Sequence, residues 1–269
     1  MYNVRVKEFS DGCVQIHVFS HSIFGEGEKD CKKVDRITGE ILQKEKGYLL
    51  EVPFDDEPVR VTDMPDLEKS AYKSYLRTKK TVYDIARSNR WDWFVTFTFD
   101  CRKVDRYNFD ECSKKLSMWL NRMRKRCPDM VYLVVPEQHK DGAFHFHGLF
   151  SDCSGLDFVY SGYNDSSGRK IYNVGSYRFG FTTATAVSNS QKSASYLCKY
   201  ITKDLCAVSM NRKRYWVSRN ALRPIVTDYE LEGTEEERLF QILSVYKALN
   251  IKKVSSSYLD VTYIETIKL

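Results

Sequence analysis

Apolar and polar residues change rhythm along the chain, and each change predicts an element. Residues 1–62 carry short alternating segments, such as Val14-Gln15-Ile16-His17-Val18 and Tyr48-Leu49-Leu50-Glu51-Val52, separated by Asp-Gly and Thr-Gly turn signals, which predicts a small β-rich N-terminal module. Pro65 then opens a helical stretch to about Arg90, with Ala71, Tyr75, Val82, Ile85 and Ala86 on one face and Lys79 and Lys80 largely elsewhere, so residues 63–90 read as a basic amphipathic helix. Trp93 to Phe99 is a run of β-branched and aromatic residues ended by Asp100, the pattern of a central strand. From about Asn108 to Cys127, Phe109, Cys112, Leu116, Trp119, Leu120 and Met123 recur at helical spacing until Pro128 stops the helix.

Val131 to Val135 and Ala143 to Phe150 flank Lys140-Asp141-Gly142 and predict a β-hairpin. Residues 151–173, rich in Gly, Ser, Asp and Tyr, read as a long loop. A strand is expected near Arg178 to Val187, a helix from about Ser190 to Leu205, and a strand over Arg214 to Ser218. An acidic stretch, a helix through Leu249 and a terminal strand from Tyr258 to Ile264 follow. The order strand, helix, hairpin, strand, helix predicts an α+β fold, a central antiparallel sheet with packed helices, rather than a doubly wound parallel sheet. The expected divisions are 1–62, 63–90, a main domain over 91–218, and a C-terminal extension over 219–269.

Composition narrows the partners. The 269 residues are 42% hydrophobic, enough for one large domain or a domain with a module, and the net charge of +6 favours an anionic partner. No stretch approaches the apolar length of a membrane span and the N-terminus has no signal-like apolar core, so no membrane partner is expected and the predicted location is the cytoplasm. The 8 cysteines never form a C-x-x-C pair, which predicts reduced, mostly structural thiols. No P-loop or dinucleotide fingerprint is present.

Candidate chemistry concentrates in the hairpin. His145 and His147 are two apart on a predicted strand, so both imidazoles project from one face and can converge on an ion, while Phe144 and Phe146 point into the core. With a three-residue loop and Gly142 in a left-handed conformation, Glu137 faces His145 and supplies a third ligand. A two-residue loop would instead pair Gln138 with His145 and turn Glu137 away. In the three-residue register His139 shares the Glu137 face, as a weaker candidate ligand or a residue supporting one. Two imidazoles and a carboxylate suit Mn²⁺ or another first-row divalent ion, and Mg²⁺ can occupy such mixed sites.

The second constellation is Ser193 to Lys203, read as helix, in which i, i+4 spacing stacks Tyr196 on Tyr200 with Lys199 and Lys203 beside them. A phenol is a poor nucleophile near its free pKa of about 10, so it needs a cation such as Lys199 and a metal-polarised electrophile. Residues 192–223 hold eight basic residues against Asp204 alone, and residues 101–127 hold nine against three acidic ones. With many aromatic side chains available for stacking, these basic regions are expected to flank the site and bind single-stranded nucleic acid, with Lys192, Lys203 and Arg214 as contacts.

Together, the strand Phe94 to Asp100, the Glu137 strand leading to His145-Phe146-His147, and Tyr196-x-x-Lys199-Tyr200 resemble the three ordered motifs of the His-hydrophobic-His (HUH) endonucleases. Within these, the set is most similar to the rolling-circle replication initiators (Rep proteins) of small single-stranded DNA phages and plasmids. The resemblance covers about residues 90–218 and implies an RRM-like HUH core. By it, His145, His147 and Glu137 would hold the divalent cation, and Tyr196 would attack a scissile phosphodiester of single-stranded origin DNA. The implied products are a 5′-phosphotyrosine and a free 3′-OH, with Tyr200 as a second nucleophile in the two-tyrosine scheme. Without a helicase domain, unwinding would need a host helicase. Three alternatives stand beside it: a relaxase or transposase of the same superfamily, a non-haem iron oxygenase sharing the two-histidine, one-carboxylate set, and a non-catalytic single-stranded DNA-binding module.

Overall fold

A computed structural model describes residues 1–23, 66–151, 155–202, 212–255 and 259–267. The expected strand at Tyr48 to Val52 lies outside these residues. The fold is α+β with two antiparallel sheets and four helices among the described residues, and the chain divides into two units.

The first unit joins both ends of the chain. Strands β1 (Tyr2–Glu8) and β2 (Cys13–Ile23) pair with β10 (Ile225–Tyr229), β11 (Ala248–Ser255) and β12 (Asp260–Ile267) in the order β10-β1-β2-β12-β11. The N-terminal module and C-terminal extension, read separately from sequence, thus share one sheet. Helix α4 (Glu235–Val245) starts with a capping box in which Thr234 Oγ1 accepts from the Glu237 amide and the Glu237 carboxylate accepts from the Thr234 amide. It ends at Val245 rather than Leu249, and residues from Ala248 form β11. Val4, Val14, Ile16, Val18, Ile242 and Ile264 form its main core cluster.

The second unit extends to Pro224 and holds the seven-stranded sheet β6-β7-β8-β3-β5-β4-β9. Its central strands are β3 (Trp93–Phe99), β4 (Tyr132–Gln138) and β5 (Phe144–Phe150), flanked by β8 (Gly180–Ala186) and the two-residue β9 (Trp216–Val217). The region 151–173 is not one long loop: Phe158–Asn164 and Lys170–Val174 form β6 and β7 and pair antiparallel.

Side-chain alternation assigns the two faces of this sheet. Val95, Phe97 and Phe99 of β3, with Phe144 and Phe146 of β5, pack under helix α2 (Phe109–Arg126), which buries Cys112, Leu116, Trp119, Leu120 and Met123 against them. Each large apolar side chain so buried contributes about 1.5–3 kcal/mol, which makes this the dominant core. Asn108 caps α2 by accepting from the amides of Asp110 and Glu111. On the other face, Leu133, Val135 and Leu149 meet Val82, Ile85 and Ala86 of helix α1 (Asp66–Arg87) and Ala194 and Leu197 of helix α3 (Ser190–Cys198). Buried Cys112, its thiol pushed up to about 12 by desolvation, behaves as a structural thiol.

Candidate active site

The hairpin turn fixes the histidine register. Gly142 has φ +87°, and the paired bonds His139 N–H to Ala143 O (2.9 Å) and Gly142 N–H to His139 O (2.8 Å) close a three-residue loop. Glu137 therefore stands opposite His145, and Val135 opposite His147. Because Phe144 and Phe146 belong to the α2 core, His145 and His147 emerge on the α1/α3 face.

Strand β3 orients both rings. Thr96 lies opposite His147 and Thr98 opposite His145, and each threonine Oγ1 meets the facing Nδ1, at 3.1 Å and 3.2 Å respectively. A hydroxyl can donate or accept, so these contacts suit either tautomer and leave Nε2 directed away from β3. His147 is buried, and its Nε2 lies 2.7 Å from Glu137 Oε2, which also meets His139 Nε2 at 3.1 Å. That hydrogen bond from His147 holds the Glu137 carboxyl below its ordinary pKa, against the effect of burial. Desolvation, helped by neighbouring His139, brings His145 down to about 4, so its imidazole is neutral at pH 7. His139 stacks on His145 with ring centroids 3.7 Å apart.

Helix α3 brings the phenols to the same face. It ends at Cys198, short of the expected Leu205, with Tyr200 in the turn that follows and Tyr200 N–H bonded to Leu197 O at 3.2 Å. Ala194, Leu197, Cys198 and Ile201 face the core, which leaves Tyr196 47% exposed. The Tyr200 ring stacks on His147 at 3.7 Å between centroids, and Phe94 packs 5.4 Å from the Tyr196 ring. Tyr200 Oη donates to Tyr196 Oη at 2.8 Å. Burial first, and that hydrogen bond second, raise the Tyr200 pKa. Tyr200 is thus the held proton donor and Tyr196 the accessible acceptor.

The basic residues divide. Lys199 Nζ lies 5.8 Å from the centre of the Tyr196 ring, over its face rather than beside its hydroxyl. Lys192 is exposed on α3, and Lys203 lies outside the described residues. Arg214 is tied to α1 through Ser74 Oγ and Thr78 Oγ1. A cavity of about 560 Å³ is lined there by Ser74, Thr78 and Arg212 to Arg214, but not by the histidines. The expectation that 101–127 flanks the site is corrected for its most basic part. Arg124, Lys125 and Arg126 occupy the last turn of α2, on the opposite face of the sheet, where cations complement the helix dipole.

Glu137, His139, His145, His147, Tyr196 and Tyr200 therefore form one continuous set of side-chain contacts. Residues 92–205 match the family model for the replication-associated protein ORF2 family. The matched segment contains that whole set and is less than half of the chain; its similarity to replication-associated proteins is consistent with a replication initiator. No curated protein and no solved structure matches the chain. No described helix is long and apolar enough to cross a membrane.

The donor set has the chemistry of a divalent-ion site: two imidazoles oriented by hydroxyls, and a carboxylate. Its present arrangement is a Glu137–His147 hydrogen bond, and no three His, Cys, Asp or Glu side chains among the described residues stand in ion-holding geometry. Sequence reading did not single out Thr96, Thr98 or Phe94 for the site. Their alternation along β3 was visible, but the β3–β5 register that brings them to the imidazoles was not.

Proposed function

We propose that this chain is a metal-dependent single-stranded DNA endonuclease and strand-joining enzyme that initiates rolling-circle replication through a 5′-phosphotyrosine intermediate. The observation that carries the reading is the Tyr200-to-Tyr196 hydrogen bond set on the ring of His147. The similarity of residues 92–205 to replication-associated proteins supports the biological setting.

In this reading Tyr196 Oη attacks the scissile phosphorus and loses its proton, while the O3′–P bond breaks and the leaving oxygen takes up a proton as the free 3′-OH. Tyr200 remains protonated and donates into Tyr196 Oη, offsetting the negative charge that develops as the nucleophile deprotonates. Glu137, His145 and His147 would hold a divalent cation, Mn²⁺ or Mg²⁺, which when bound polarises the phosphate. The phosphotyrosine bond conserves the energy of the broken diester, so attack by a 3′-OH reseals DNA without a nucleotide, in keeping with the missing P-loop. The proposed partners are single-stranded origin DNA and a host helicase, in the host cytoplasm.

A second reading, a non-catalytic single-stranded DNA-binding module, is favoured by one observation: Glu137 and His147 already satisfy each other. Incubation with origin single strands and Mn²⁺ separates the two. The nuclease gives a protein–DNA adduct that survives denaturation, and the binding module gives none.

A further inference from the structure

Strand β8 has one covered face and one open face. Thr182 and Ala184 are buried, whereas Phe181 and Thr183, which alternate with them, are exposed. The register sets Phe181 opposite Thr98, Thr98 opposite His145, and His145 opposite Glu137, in a single row across β8, β3, β5 and β4. Phe181 is 67% exposed although β8 is an interior strand. Helices α1 and α3 cover Leu133, Val135 and Leu149 on this face, but Phe181 is outside that cluster.

Cations adjoin the ring. At the end of β3, Arg102 and Lys103 have side chains 80% and 54% exposed, and Lys103 Nζ donates to the carbonyl of exposed Arg178 at 3.3 Å. Asp100 is the carboxylate that Arg102 and Lys103 share, so the group keeps an excess of positive charge beside Phe181. Neighbouring strands are about 4.8 Å apart, so the Phe181 and His145 backbones are about 10 Å apart. One nucleotide can span that distance from its base to an adjoining phosphate.

We infer that Phe181 is a stacking platform for a base of single-stranded DNA next to the cleaved phosphate, with Arg102, Lys103 and Arg178 facing the strand's backbone. An apolar ring set among cations suits a ligand with flat apolar faces and a polyanionic backbone. The inference rests on the proposed DNA substrate but not on cleavage.

The test uses the full chain and a fluorescein-labelled single-stranded origin oligonucleotide, with EDTA present so that binding is read alone. Phe181→Ala should weaken binding about tenfold, as loss of one base–aromatic stack does. Phe181→Trp should bind as the wild type does and lose emission on adding unlabelled DNA, against native tryptophans that are buried at 91, 119 and 216 and half-buried at 93. Unchanged affinity in Phe181→Ala, or unchanged emission in DNA-bound Phe181→Trp, overturns the inference. Self-association abolished by Phe181→Ala overturns it too, by assigning the ring to a second copy. Adduct formation with Mn²⁺, run in parallel, keeps the two ideas apart. Phe181-dependent binding without adduct sinks only the nuclease reading, and normal adduct with Phe181-independent binding sinks only this one.

Discussion

The hydroxyl of Tyr200 donates to Tyr196 Oη across 2.8 Å, which makes the two phenols unequal. The donor is the more buried ring, with a raised pKa, and the acceptor is the more exposed one. Tyr196→Phe should therefore abolish the covalent adduct. Tyr200→Phe should retain it at a rate lowered roughly tenfold or more, because a hydrogen bond to a charged group is worth about 1.5–3 kcal/mol. Denaturing gels and mass spectrometry of the linked peptide check both. An adduct persisting in Tyr196→Phe and missing in Tyr200→Phe would reverse the roles.

Thr96 Oγ1 holds His147 Nδ1 at 3.1 Å from the neighbouring strand. Thr96→Val keeps the shape and β-propensity but removes the orienting partner. Losing such a support typically costs 10–100-fold in metal affinity, so Mn²⁺ titrated calorimetrically into Thr96→Val should bind at least about tenfold more weakly than to wild type. Equal affinity in the two proteins would show that the hydroxyl does not set the ligand's orientation.

The parts of the fold that could be read from sequence are those in which burial imposes a rhythm. The β4–β5 hairpin combines an apolar strand, a turn with glycine at the left-handed position, and Phe144 and Phe146 alternating with the histidines. Strands β6, β10 and β11 escape the same reading because each lies at a sheet edge and buries few side chains. Backbone pairing holds them there, and it leaves little hydrophobic alternation in the sequence. Chain-end pairing and the β3–β5 register are long-range facts of the same kind. The basic end of α2 misled for a different reason: like charges mark a helix C-terminus as readily as a DNA-binding face.

Gly148 follows His147 on β5, and the surrounding packing accounts for its lack of a side chain. A Cβ there would meet Phe150 Cε2 at 2.7 Å and Val134 Cγ2 at 2.8 Å, both in the α2 core. Gly148→Ala should destabilise the protein by about 1–3 kcal/mol through overpacking. Urea denaturation should show a lower midpoint with an unchanged slope. A midpoint equal to wild type would mean that the core yields without cost.

Asp100 ends β3 and accepts hydrogen bonds from Arg102 through its amide and through Nε and Nη2, each at 3.0 Å. The side-chain bond first, then the amide, bring its carboxyl down to about 2 from an ordinary value of 3.8. A carboxyl with a depressed folded-state pKa binds protons more readily in the unfolded chain. Its contribution is therefore complete above about pH 4 and is lost as the pH falls from there through about 2. Asp100→Asn keeps an amide oxygen for the Arg102 N–H but cannot titrate. Its stability difference from wild type should be constant from neutrality to about pH 4 and shrink as the pH falls towards 2. Denaturation of both proteins across that range measures the difference, and a gap that does not change with pH would show that the Asp100–Arg102 contact contributes nothing to acid sensitivity.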